Sequence, residues 1–119
     1  MQDYGARIKV SHQGQVTVVE LLDEEILEEG PINEITDALF TVVQNSANIK
    51  LLLSFDKVKH FSSSALGMLI RLNKRVGENG GALRLCRIKP SLYEIFTITK
   101  LNKLFDIHDR IDKALKGFD

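Results

Sequence analysis

Three consecutive serines, Ser62, Ser63 and Ser64, are the residues of this sequence whose types and spacing most clearly suggest chemistry. An apolar segment of strand length, 49–55, precedes them, and apolar residues follow at the spacing of one helix face. A serine at a helix start usually caps the helix by accepting a hydrogen bond from a free backbone N–H group. The same helix end favours negative charge, because unpaired N–H groups and the positive end of the helix dipole meet there. A serine hydroxyl here could therefore carry a phosphate, although the simpler interpretation is that all three serines are caps and loop residues.

A hydrolytic site is a second interpretation of the same stretch, because Ser63, His60 and Asp56 are the residue types of a catalytic triad. The sequence lacks the G-x-S-x-G pattern, and nothing recognisable supplies an oxyanion hole. His60 is expected on a half-exposed loop. We therefore predict that the protein is not an enzyme.

Metal and cofactor sites are not indicated either. His12, His60 and His108 are far apart in the sequence, and no cysteine–histidine cluster has zinc spacing. The acidic segment 23–31 is expected to be a solvated loop, with a carboxylate metal site as the weaker alternative. The glycines form neither a dinucleotide-binding pattern nor a P-loop, so a nucleotide-binding module lacks a phosphate cradle. No cofactor is predicted.

Composition limits the classes of function. The chain has 119 residues, of which 44% are hydrophobic and 27% charged, as in ordinary globular domains. Its 16 basic and 16 acidic residues cancel, which argues against nucleic-acid binding driven by general electrostatics. No apolar leader or membrane-length apolar run is present, so a cytoplasmic protein with no membrane partner is expected. The single cysteine, Cys86, excludes an internal disulfide and is expected to be a buried, inert thiol.

Alternating strand and helix patterns predict an α/β fold. Strands are predicted at 7–11, 16–21, 50–55, 82–86 and 104–107. Helices are predicted to start at Asn33, at the serines, at Pro90 and at Asp109, with Asp112 as the third residue of the last helix. The order β-β-α-β-α-β-α-β-α implies one domain, 1–119 with a core at about 8–115. Its mixed, mainly parallel sheet of about five strands would be flanked by about four helices, with an antiparallel hairpin first.

The helix after the serines has a polar outer face. A helical wheel places Arg71, Lys74, Arg75 and Glu78 on that face, flanked by Leu66, Met68 and Ile70. This arrangement suits either a solvated surface or a docking surface for a reversible partner.

The segment from Leu53 to Gly67 resembles the strand–loop–helix signature of STAS-domain anti-sigma-factor antagonists. In that signature an apolar residue is followed by Asp-Ser-Ser/Thr-Gly-Leu-Gly, and the likeness extends over roughly 8–115. Matched residue by residue, the signature aspartate, phosphorylated serine, second hydroxyl residue and glycine fall on Ser62, Ser63, Ser64 and Ala65. The chain therefore departs from the family pattern at the first and last of these positions.

The resemblance implies a partner-switching regulator of transcription. Unphosphorylated, the protein would bind an anti-sigma factor that is a serine kinase, which frees a sigma factor. Phosphorylation of Ser63, with Ser62 and Ser64 as alternatives, would release the kinase, and a protein phosphatase would reset the switch. The residues expected at the partner surface are Ser62, Ser63, Ser64, Leu66, Met68, Ile70 and Arg71. The alternative is a STAS adaptor subunit of a signalling or lipid-transport assembly that is never phosphorylated.

Overall fold

The computed structural model describes residues 2–3 and 7–118. The strands are β1 (Gln2–Asp3), β2 (Ile8–Gln13), β3 (Val16–Leu21), β4 (Glu25–Ile26), β5 (Lys50–Ser54), β6 (His60–Phe61), β7 (Ala82–Cys86) and β8 (Asp106–His108). The helices are α1 (Glu29–Gln44), α2 (Ser63–Glu78), α3 (Pro90–Ile98) and α4 (Ile111–Leu115), and a 3-10 turn covers Leu101–Lys103. The predicted order is confirmed, and β1, β4 and β6 are additions to it. None of the helices described is both long and apolar enough to cross a membrane.

The main sheet has six strands in the order β1-β2-β3-β5-β7-β8. The first two pairings are antiparallel, whereas β3–β5, β5–β7 and β7–β8 are parallel. The predicted hairpin turns at Gly14, whose φ of 61° is a left-handed conformation that glycine adopts without a steric penalty. The mixed, mainly parallel sheet is therefore confirmed, with one more strand than expected.

Strand β5 is buried on both faces of the sheet, as its continuous apolar sequence predicts. Leu51 and Leu53 belong to the large core under α1 and α2. Leu52 faces the opposite side and packs with Cys86 in a smaller cluster that includes Ala114 of α4. Cys86 is buried, as predicted, and its burial raises the pKa of the thiol to about 11.

The carboxyl-terminal segment is fixed to the second face of the sheet by Arg84. Its guanidinium donates to the backbone carbonyls of Ala114 and Lys116 at 2.9 and 2.6 Å, and lies 4.5 Å from the ring centre of Phe118. The same group pairs with Asp106 of the edge strand at 2.9 Å. One half-buried side chain thus joins β7, β8 and the chain end.

The start of the first helix was predicted wrongly. Helix α1 begins at Glu29 with Glu28 as its N-cap, so Asn33 lies inside the helix and Pro31 in its first turn. Proline is accommodated there because the first N–H groups of a helix have no intrahelical acceptor. Part of the expected loop is also strand, because Ile26 is fully buried and β4 pairs with β6.

The last two elements are shifted from their predicted positions. The 3-10 turn brings Phe105 into contact with Phe96, and β8 therefore begins two residues later than predicted, at Asp106. Helix α4 has Arg110 rather than Asp109 at its N-cap, and Asp112 is its second residue. Asp112 instead pairs with Arg110 at 2.8 Å, an interaction that a helix-start pattern does not reveal.

Candidate functional site

Ser62 is the N-cap of α2. Its φ and ψ of −88° and 168° are extended, and its hydroxyl oxygen accepts a hydrogen bond from the Ala65 N–H at 3.2 Å. Its carbonyl accepts from the Leu66 N–H at 3.1 Å. The side chain is half-buried, so the hydroxyl of Ser62 is engaged in the helix start.

Ser63 and Ser64 differ from Ser62 in exposure and bonding. They are the first two residues of α2, and both side chains are exposed. In the part of the chain that the structure describes, neither hydroxyl takes part in a hydrogen bond. The structure therefore separates one serine that caps the helix from two that present free hydroxyl groups at its positive end.

The backbone leading to these serines is held by the two-stranded ladder of β4 and β6. The N–H groups of Lys59 and His60 donate to the Glu24 carbonyl at 2.7 and 3.1 Å. The Ser62 N–H donates to the Ile26 carbonyl at 3.1 Å. Beneath the ladder, Phe61 packs edge-to-face on Phe55 with ring centres 5.6 Å apart. These contacts fix the approach to Ser63 on one side.

The loop between β7 and α3 supports the other side. Arg87 pairs with the Asp56 carboxylate at 3.4 Å, and the Lys89 ammonium donates to the Asp56 carbonyl. The Phe55 N–H donates to the Cys86 carbonyl at 3.0 Å, which continues the β5–β7 pairing beyond the strand ends. The segment before Ser63 is thus tied to its neighbours on both sides.

The residues of the hypothetical triad are not assembled. Asp56 pairs with Arg87, and His60 is exposed on β6. Within residues 7–118 no hydrogen bond joins Ser63, His60 and Asp56 to one another. Over the same residues, no group of three histidine, cysteine or carboxylate side chains could hold a metal ion.

Two lysines that precede the serines in the chain lie close to carboxylates. Lys57 lies 4.0 Å from the Glu20 carboxylate, and Lys59 lies 3.7 Å from that of Glu24. Each of these exposed lysines therefore has an acidic partner, and a phosphate on Ser63 would add about −1.5 to −2 charges at the helix start.

The solvent-exposed face of α2 includes fewer residues than the helical wheel predicts. Ile70 is 40% exposed, but Met68 is fully buried and Leu66 is 7% exposed. The expectation that Leu66 and Met68 are surface rim residues is wrong, because α2 packs against both α1 and β7 and buries a wide stripe. Arg71 is exposed, and its Nη1 lies 3.7 Å from the position that a Cβ on Gly67 would occupy. Ile70 and Arg71 remain on the surface that extends from Ser63.

Sequence reasoning missed the β4–β6 ladder and the open groove beside it. The signal was weak but present, because two apolar residues, Ile26 and Leu27, interrupt the acidic stretch. Ile26 is fully buried, whereas Leu27 is 46% exposed next to His60 and Phe61.

Comparisons with known proteins agree with this fold. The STAS domain family model matches residues 7–114. An anti-sigma F factor antagonist from Paenibacillus polymyxa is 23% identical over 109 residues, which is 92% of each chain. The solved structure of an anti-sigma-factor antagonist (STAS) domain protein from Planctomyces limnophilus has a TM-score of 0.84 and 26% identity, covering 96% of this chain and 98% of that one. The Bacillus cell-fate determinant SpoIIAA, solved in its phosphorylated form, shares the fold with a TM-score of 0.66 and 15% identity, covering 91% of this chain and 96% of that one.

Proposed function

Because this chain belongs to the STAS domain family, we propose that it is an anti-sigma factor antagonist controlled by phosphorylation of Ser63. The observation that carries the proposal is the division of roles at the start of α2, where Ser62 caps the helix and Ser63 and Ser64 are left exposed. Of these two, Ser63 is the one that matches the phosphorylated serine of the family signature. The relative from Paenibacillus polymyxa is named an anti-sigma F factor antagonist, which supports the antagonist role. SpoIIAA is described in a phosphorylated form, which supports regulation by phosphorylation.

The chemical step belongs to the partner. The Ser63 Oγ attacks the γ-phosphorus of ATP held with Mg²⁺ by an anti-sigma factor serine kinase, ADP leaves, and a base of the kinase takes the hydroxyl proton. This chain contributes an acceptor on a fixed helix start and no cofactor. A protein phosphatase restores the free hydroxyl, and all three proteins act in the cytoplasm.

The switch works through charge. A phosphate at the first residue of α2 is stabilised by the helix end by roughly 0.3–1 kcal/mol, so the fold is retained. At the partner surface the same charge meets groups suited to a neutral hydroxyl, and an unpaired or like charge costs several kcal/mol there. Phosphorylation therefore releases the kinase, while the unphosphorylated protein holds it away from its sigma factor.

The experiment that tests this function is phosphosite mapping with two alanine variants. The protein is incubated with Mg-ATP and each purified candidate kinase of the anti-sigma factor type, and the phosphopeptides are sequenced by mass spectrometry. We expect Ser63→Ala to abolish phosphorylation and Ser64→Ala to retain it. Stoichiometric phosphate on the Ser63→Ala protein would refute the site, and stable binding without any phosphorylation would favour a constitutive STAS adaptor.

A further inference from the structure

An open groove of about 480 Å³ lies between the β4–β6 ladder and α3. Phe61, Leu92 and Ile95 supply buried or half-buried apolar walls, and Leu27 stands at the groove with 46% of its surface exposed. A large aliphatic side chain exposed beside an apolar groove is a feature of surfaces that bind another protein.

The groove lies next to the candidate phosphorylation site along the chain. His60 and Phe61 line it, and the next two residues along the chain are the helix cap and Ser63. The backbone between groove and serine is fixed by the hydrogen bonds to Glu24 and Ile26. A protein seated in the groove is therefore held at a defined position relative to the Ser63 hydroxyl.

The uncompensated charge at the groove is negative. Lys59 lines it but pairs with Glu24 at 3.7 Å. Glu25 also lines it, and among the described residues Glu25 has no ion-pair partner, nor do Glu28 and Glu29, which follow Leu27 directly. An apolar groove with an acidic border is complementary to an apolar side chain flanked by basic ones.

We propose that this groove is the docking site for the anti-sigma factor kinase, and that it receives an apolar side chain flanked by lysine or arginine on the kinase surface. The inference rests on the proposed function and adds the surface by which the kinase is held while Ser63 faces its bound ATP. Docking contributes affinity in the unphosphorylated state, and the phosphate placed on the adjacent serine weakens the same complex.

A pair of leucines provides the test and its matched control. Leu27 and Leu104 are 46% and 49% exposed, and only Leu27 lines the groove. We expect Leu27→Glu to weaken binding of the kinase, measured by calorimetry in the presence of ADP so that no phosphoryl transfer occurs, by at least tenfold. We expect Leu104→Glu to bind within twofold of the unaltered protein.

A second pair tests the charge and protects the conclusion if Leu27→Glu changes the fold. Glu25→Lys reverses the charge at the groove, and Asp37→Lys makes the same change at an exposed position of α1. We expect only the first to weaken binding, with the same melting temperature for both proteins.

The outcomes distinguish the groove from the function on which it rests. If Leu27→Glu and Glu25→Lys bind the kinase and are phosphorylated on Ser63 like the unaltered protein, the groove is not the docking site and the proposed function stands. If no candidate kinase binds or phosphorylates the unaltered protein, the proposed function is refuted, and the docking inference with it.

Discussion

Replacing Ser62 and Ser63 by alanine, one at a time, should have opposite effects on stability and on phosphorylation. Ser62→Ala removes the 3.2 Å hydrogen bond that caps α2 and leaves the Ala65 N–H without its partner. Loss of a serine N-cap costs roughly 0.5–2 kcal/mol, typically ~1. The Ser63 hydroxyl is exposed and has no such bond among the described residues, so Ser63→Ala should change the free energy of unfolding by less than about 0.5 kcal/mol.

The difference is measurable by urea unfolding and by thermal melting. For a domain of this size a loss of ~1 kcal/mol lowers the melting temperature by about 3–6 °C. We expect that shift for Ser62→Ala, with its phosphorylation by the kinase retained, and no comparable shift for Ser63→Ala. A loss of stability from Ser63→Ala as large as that from Ser62→Ala would show that both hydroxyls support the helix start, and the division of roles would be refuted.

Two further predictions follow from burial. Met68→Glu places a charge in the core and should lower the free energy of unfolding by more than about 3 kcal/mol. Ile70→Glu, at an exposed position, should lower it by less than about 0.5 kcal/mol. Similar urea midpoints for the two variants would contradict the burial of Met68. Because folding raises the pKa of Cys86 to about 11, the native state keeps a proton that the unfolded chain loses near pH 9. The contribution of the protonated thiol to the free energy of unfolding is therefore fully present below about pH 9. It should be lost between about pH 9 and 11, by up to ~1.4 kcal/mol per pH unit. We expect Cys86→Ala to reduce this decline. An unchanged pH dependence in that variant would assign the decline to other groups.

The sequence predicted the elements whose patterns depend on local chemistry. Alternation in β2 and β-branched residues in β3, with a glycine between them, predicted the hairpin. The continuous apolar run of β5 predicted a strand buried on both faces. Pro90 marked the first residue of α3. In each case the local sequence pattern is enough to predict the element.

The errors arose where tertiary contacts decide the outcome. Gly30 and Pro31 are typical helix breakers, yet both fit into the first turn of α1, where their effects on hydrogen bonding are small. Met68 falls near the polar face of a wheel, but α2 is packed between α1 and the sheet and buries that position. A helical wheel describes one helix alone, so it does not show that α2 packs against a second element as well as the sheet.

The candidate site was predictable in its location but not in its division of roles. The three serines are equivalent in a sequence pattern, since each can cap a helix. The backbone hydrogen bonds from residues 59, 60 and 62 to the carbonyls of Glu24 and Ile26 fix the direction in which the chain enters α2. In that direction the Ser62 hydroxyl faces the Ala65 N–H and Ser63 is exposed.

We propose that phosphate on Ser63 switches partner binding through local charge. The most direct measurement compares the purified phosphoprotein with the unphosphorylated protein in three assays: kinase affinity, melting temperature and backbone amide chemical shifts. We predict affinity at least about 10²-fold weaker, a melting temperature no lower, and shift changes confined to the start of α2. Unchanged affinity would contradict the switch itself, and shift changes across the sheet with a lower melting temperature would contradict its local-charge mechanism.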